Sequence, residues 1–280
     1  MSRRLFVMFA IAATLAGADQ KLTIERPVLS QSEDGVPVPT DFRFLPGDIV
    51  FFSCQVAGYT KQPKEDDHIV DLAYTIEARD SKGLFIIPVE TGKVASTITS
   101  EDKKWLPKIR HTIALPPLAD TGEYQVSVKV KDNLARSEAQ AAIPLRVQGR
   151  QVAASDTLTV RNFRFLRTEE DKDPLQVPAY RPGDTVWARF DMTGYTLGEG
   201  NAFDVDYGLK VLRRSGETTY DQPKAAQEKN QSFYPQRYTP GVLSLSLPAD
   251  LQRGEYTIML TVHDTIGRQS YETRQKFAVE

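Results

Sequence analysis

"GDIVFFSCQVAGYT", residues 47–60, decides the fold. Val50, Phe52, Cys54 and Val56 fall on alternate positions, and a period of two places them together on one face of a β-strand. Pro46-Gly47 just ahead supplies a turn before the strand. The stretch also occurs twice. Leu22–Thr60 aligns without a gap on Leu158–Thr196 at an offset of 136, laying FLPGDIVFFSCQVAGYT over YRPGDTVWARFDMTGYT. The counterparts of the four in-phase residues are Val186, Ala188, Phe190 and Met192, behind a second Pro-Gly pair at Pro182-Gly183.

The repetition continues. LPPLADTGEYQVSVKVKD lies over LPADLQRGEYTIMLTVHD at an offset of 132, sharing Leu-Pro, Gly-Glu-Tyr, a valine (Val130, Val262) and an aspartate (Asp132, Asp264). Between these blocks VDLAYTI (70–76) lies over VDYGLKV (205–211). Tyr124, Val126, Val128 and Val130 alternate as a strand does, as do Tyr256, Ile258, Leu260 and Val262. Beyond the first residues no long segment has helical apolar spacing. Short strands separated by Gly, Pro and Asp turns predict an all-β chain of two tandem antiparallel β-sandwich domains related by internal duplication. The expected boundaries are 20–149 for the first domain and 155–280 for the second, with the small, polar stretch 148–156 as linker.

Residues 1–18 read as a signal peptide: Arg3 and Arg4 start it, Leu5 to Leu15 form its apolar core, and Ala16-Gly17-Ala18 is a small-residue cleavage site. An apolar core of 11 residues is shorter than the roughly 20 needed to span a bilayer, so the chain is expected not to be membrane-spanning. An exported protein follows, periplasmic or extracellular. Lys and Arg number 35 against 37 Asp and Glu, a formal net charge of −2 that becomes about −4 without Arg3 and Arg4. That balance, with no basic stripe interleaved with aromatics, argues against nucleic acid as a partner. A single cysteine excludes an internal disulfide framework, so stability must come from apolar burial.

GDIVFFSCQVAG resembles the B strand of an immunoglobulin domain, and ADTGEYQV (119–126) resembles the start of its F strand, with the pattern Asp-x-Gly-x-Tyr-x-Cys. The resemblance implies an immunoglobulin-like sandwich, with a fibronectin-type sandwich as the near alternative. It also implies that Tyr124 and its counterpart Tyr256 hydrogen-bond upstream backbone at a corner. Val126 stands where the family's second cysteine would be, and in the second unit the two cysteine positions are Phe190 and Ile258. The resemblance thus implies a disulfide pin replaced by apolar packing, with Cys54 a buried, inert small hydrophobe.

Catalytic chemistry is not legible. His68, His111 and His263 share no metal-ligand spacing, and no nucleophile elbow, Gly-rich phosphate loop or H-E-x-x-H occurs, so a non-enzymatic protein without a cofactor is expected. Asp66, Asp67 and Asp71 are weak candidates for a cation, better read as a solvated turn. The segments 90–111 and 216–241 are the most distinctive. Each holds an aromatic, one residue, then proline: Trp105-Leu106-Pro107 and Phe233-Tyr234-Pro235. Trp105 and Phe233 are candidates for partner binding, with plugging the end of their own sandwich as the bland alternative. Tyr220, Tyr234 and Tyr238, with Arg237 among them, suit a recognition surface, because rigid rings offer contact area at little entropic cost. The expected function is a binding or scaffolding module presenting loops to a protein partner. The alternatives are a carbohydrate-binding module, and a client binder resembling the periplasmic pilus chaperones with Arg150 of the linker as a basic anchor.

Overall fold

The computed structural model describes residues 21–99, 101–102 and 104–280; residues 1–18, expected to be a signal peptide, lie outside the described residues. These form sixteen β-strands, one short 3-10 turn at Glu199–Asn201 and no α-helix. In the N-terminal half they are β1 (Thr23–Ser30), β2 (Ile49–Ala57), β3 (Gln62–Lys64), β4 (Asp67–Arg79), β5 (Glu90–Ile98), β6 (Lys108–Ala114), β7 (Gly122–Asp132) and β8 (Ser137–Val147). The C-terminal half has β9 (Thr159–Leu166), β10 (Ala179–Tyr180), β11 (Thr185–Thr193), β12 (Phe203–Arg213), β13 (Thr218–Asn230), β14 (Tyr238–Ser246), β15 (Gly254–Asp264) and β16 (Gln269–Val279). Among the described residues no helix is long and apolar enough to cross a membrane.

Each half stacks a three-stranded sheet on a five-stranded one. The order β1-β2-β6 faces β4-β7-β8 with β3 and β5 paired to β4, and β14-β11-β9 faces β10-β16-β15-β12-β13. Pairing is antiparallel except at two matching places: β10 runs parallel to β16 at Ala179–Tyr180, and in the N-terminal half Phe44 makes a parallel bridge to Val147 of β8. The in-phase residues of β2, Val50 to Val56, meet Val126, Val128 and Val130 of β7 in one buried cluster, and the second half builds its own from Val186 to Met192 and Ile258 to Val262. Cys54 is a buried free thiol. Burial pushes its pKa up to about 11, so at neutral pH it is an unreactive part of the core.

Residues shared by the repeats prove to be partners of one another. Asp132 ends β7, where its Oδ2 accepts from the Thr60 amide at 2.6 Å and its Oδ1 from the amides of Leu134 and Ala135. Asp264 ends β15 and does the same for Thr196, Ile266 and Gly267. One buried carboxylate thus closes a hairpin turn and ties it to the end of the opposite sheet. At the other pole the Tyr124 hydroxyl donates to the Asp120 carbonyl at 3.1 Å and Tyr256 to that of Gln252 at 2.6 Å, the corner contact. Gly47 and Gly183 have φ of 86° and 88°, which the turn ahead of β2 and of β11 requires and which only glycine adopts without strain.

The segments 90–111 and 216–241 are not simply loops. β5 and β13 each run along the edge of a five-stranded sheet, so the loop of the second segment shrinks to 231–237. The sequence TTYDQPKAAQEKN of β13 hides its strand because an edge with no partner beyond it has little apolar alternation to show.

Candidate functional site

The loop 231–237 lies at the seam between the halves. It leaves β13 at Asn230 and is fixed from behind by Asn201, whose Nδ2 donates to the carbonyls of Ser232 at 3.2 Å and Phe233 at 2.7 Å. The Ser232 hydroxyl closes the turn on the Tyr234 carbonyl at 2.6 Å. Its two aromatic side chains then part. Tyr234 enters the core of the N-terminal half, and its hydroxyl donates to Asp80 Oδ2 at 2.9 Å. Asp80 is itself buried at the end of β4, with Oδ1 accepting from the amides of Lys82 and Leu84. Burial, then the neighbouring Tyr124 and Asp80, push the Tyr234 phenol well above its ordinary pKa. Tyr234 is therefore a neutral hydrogen-bond donor.

Phe233 turns the other way and is 52% exposed. It borders a crevice of about 340 Å³ whose far wall is Ile86 and the run Ala114-Leu115-Pro116-Pro117-Leu118, with Gln236 and Asn230 at the near rim. Both halves contribute to it, and neither would form it alone. Its volume is in the range of about 300 to 1,000 Å³ usual for small-ligand pockets, and its apolar floor with a few amides suits an apolar side chain or a sugar face.

The residues expected to face a ligand are therefore divided. Tyr220 is exposed on β13, its hydroxyl on Gln222 Oε1 at 2.8 Å, and Phe233 is exposed at the crevice. Asn230 lies opposite Phe203 and Tyr220 opposite Val211, eight positions apart along β12 or about 26 Å, so the two rings do not share a surface. Tyr234 and Tyr238 do not belong to a recognition surface: Tyr234 is buried across the seam, and Tyr238, on β14, lies under the Arg150 guanidinium at 5.8 Å. Arg237 is half-buried and offers its carbonyl to Thr193.

The aromatic-x-Pro recurrence is not a structural equivalence either. Tyr59 donates to the Trp105 carbonyl at 2.6 Å, whereas Tyr195 donates to that of Gln236 at 2.7 Å. Trp105 thus corresponds to Gln236, and it packs edge-on against Tyr59 of its own half. Phe233 plugs nothing.

Arg150 of the linker is not a free anchor. Its Nη2 lies 2.6 Å from Asp191 Oδ2, a carboxylate that is 1% exposed. Asp66 lies in the β3–β4 turn, Asp67 opens β4, and Asp71 accepts from Asn133 at 2.9 Å. Among the described residues no three acidic, histidine or cysteine side chains gather as metal ligands would. Sequence reading missed Asp80 and Asp191. The stretch Asp80-Ser81-Lys82-Gly83 has the look of a turn, but nothing local announces that its carboxylate serves a tyrosine 154 residues away.

No protein-family model matches the chain, and no curated protein does. Solved structures with some likeness include a family 123 glycoside hydrolase from Clostridium perfringens, at 13% identity and a TM-score of 0.31, covering 44% of this chain and 27% of that one. The Salmonella alpha-2-macroglobulin is similar at 10% identity and a TM-score of 0.29, over 95% of this chain and 17% of that one. The C-terminal domain of a Streptococcus pyogenes antigen I/II-family protein is similar at 10% identity and 0.29, covering 94% and 99%. The chain thus spans well under half the length of the hydrolase and of the macroglobulin. Likenesses of this size identify neither a family nor an activity.

Proposed function

We propose that this chain is an exported, non-enzymatic binding module, acting in the periplasm or outside the cell. In this reading it consists of two tandem immunoglobulin-like domains, 20–149 and 155–280, related by internal duplication and preceded by the signal peptide 1–18. The ligand-facing element is the crevice at the seam, and the partner is a protein that inserts an apolar side chain beside Phe233. One observation carries this: a large aromatic left half-exposed over an apolar shelf, at a seam whose neighbouring tyrosine is pinned to a buried carboxylate. A rigid, composite, apolar depression with amides at its rim is the arrangement that anchors protein contacts. A sugar ring stacked on Phe233 is the second reading, supported by Asn230 and Gln236 beside it. The chaperone-like reading loses its anchor, since Arg150 is already paired with Asp191.

The test is capture on the immobilised chain beginning at residue 19, from envelope and secreted fractions of the source cell, alongside Phe233→Ser and Tyr220→Ser baits. The expected result is a stoichiometric protein retained by the parent and the Tyr220→Ser bait and lost from Phe233→Ser. A partner lost only from Tyr220→Ser would move the surface to the β13 edge. No protein on any bait, with retention on a polysaccharide gel, would replace the leading reading by the second.

A further inference from the structure

We propose that the outer face of the β9–β11–β14 sheet carries a binding site for a small oxyanion that also bears a hydroxyl, held by Arg164 and Arg189 with Asp191 as its acceptor. Strand phase sets it up. Phe190 points into the core, so Arg189 and Asp191 on either side point out, and Arg164 of β9 is the direct cross-strand partner of Arg189. Like charges placed opposite one another on a sheet repel, and arginine cannot escape by losing its proton. The carboxylate on this face does not relieve them. Asp191 Oδ2 is already taken by Arg150 Nη2 at 2.6 Å and Asn162 Nδ2 at 2.8 Å.

The polar atoms left over point to what is missing. The Nε atoms of Arg164 and Arg189 are buried without a hydrogen-bond partner, and so is Asp191 Oδ1. These three residues line one cavity of about 190 Å³, with Arg150 at its side and Pro240-Gly241-Val242 as its wall. Arginine Nε–H is half of the planar fork that takes an oxyanion in two parallel hydrogen bonds; in Arg189 the neighbouring Nη2 already donates to the Glu169 carbonyl, so its Nε–H is the donor left for a ligand. An ionised carboxylate can only accept, so Asp191 Oδ1 calls for a ligand with an O–H. Hydrogenphosphate and hydroxylated carboxylates such as uronates carry both features, whereas sulfate has no proton to give at neutral pH. The cavity is below the roughly 300 Å³ at which pockets for larger ligands begin, which suits a group of this size.

The other half shows what an answered version looks like. Its matching register pair is Val28 and Ser53, and the cations of that face, Lys108 and Arg110, reach Asp34 at 2.8 and 2.9 Å. There a carboxylate of the chain neutralises the charge. In the second half an external anion takes that part.

The measurement is titration of the full chain with sodium phosphate, galacturonate, sulfate and chloride at constant ionic strength, read on the Nε–H resonances of Arg164 and Arg189. Saturable shifts with phosphate or galacturonate are expected, and whichever binds more tightly identifies the source of the oxyanion. Sulfate should bind several-fold more weakly, a gap that Asp191→Asn narrows. Arg189→Gln should weaken binding about tenfold or more. If that variant fails to fold, Arg189→Lys keeps the charge without the fork and should still lose affinity. Shifts that track chloride, sulfate binding as tightly as phosphate, or binding indifferent to Arg189→Lys and Arg189→Gln would each overturn the proposal.

Discussion

Cys54 and Phe190 occupy the same place in the two halves, and the residue each one faces sets its size. Cys54 pairs with Ile109 across β2–β6, while Phe190 pairs with Gly241 across β11–β14. A small residue meets a branched one, and a large ring meets no side chain at all. A Cβ built on Gly241 would fall 2.4 Å from the Phe190 ring. Gly241→Ala should therefore cost about 1–3 kcal/mol in denaturant unfolding, as overpacked cores do, and Phe190→Leu in the same chain should recover part of it. Cys54 gives a second prediction, with its sign set by linkage. Its folded pKa of about 11 lies above the unfolded value of about 8.5–9, so its contribution is complete below pH 8.5 and fades as pH rises toward 11. Cys54→Ala should flatten that part of the alkaline decline, and in the parent protein a thiol reagent at pH 8 should react only after unfolding.

The elements show which features an amino-acid sequence exposes and which it conceals. The phases of β2, β7, β11 and β15 were legible because one face of each is core and the other is not, so alternation is written into the residues. Edge strands β5 and β13 were not, since half of their environment is solvent. Tyr234 was misread for a different reason: its loop carries no period, and its burial depends on a carboxylate in the other half of the chain. The shared Gly-Tyr-Thr and aspartate could be seen as recurring, yet only the fold makes Asp264 and the Thr196 amide neighbours. That contact yields a sharp expectation. Asp264→Ala strands three backbone amides and should cost about 3 kcal/mol, while Asp264→Asn, which keeps an acceptor oxygen, should cost less; thermal unfolding of the two variants separates them.

At the scale of the whole molecule, two side-chain hydrogen bonds among the described residues tie the halves, and they differ in kind. Arg150 bonds Asp191 from the linker, with its own side chain 47% exposed and hence open to water and salt. Tyr234 fills a site inside the N-terminal half and satisfies a buried carboxylate there. Halves joined only by a flexible linker would move independently by default, so the tyrosine is what should make them unfold together. Tyr234→Phe keeps the ring and leaves Asp80 Oδ2 unpaired, at about 1–3 kcal/mol. Tyr234→Ser also empties the site, at about 3–5 kcal/mol, and in calorimetry should split one transition into two, the N-terminal half melting first. Alkaline pH acts on the same contact. Burial holds the phenol protonated above its ordinary value, so unfolding is favoured once pH rises past about 10, where the unfolded chain releases that proton and the folded chain cannot. The separation of the two transitions in the parent protein should therefore begin above that pH, and it should be insensitive to salt, because the group that governs it lies out of reach of ions.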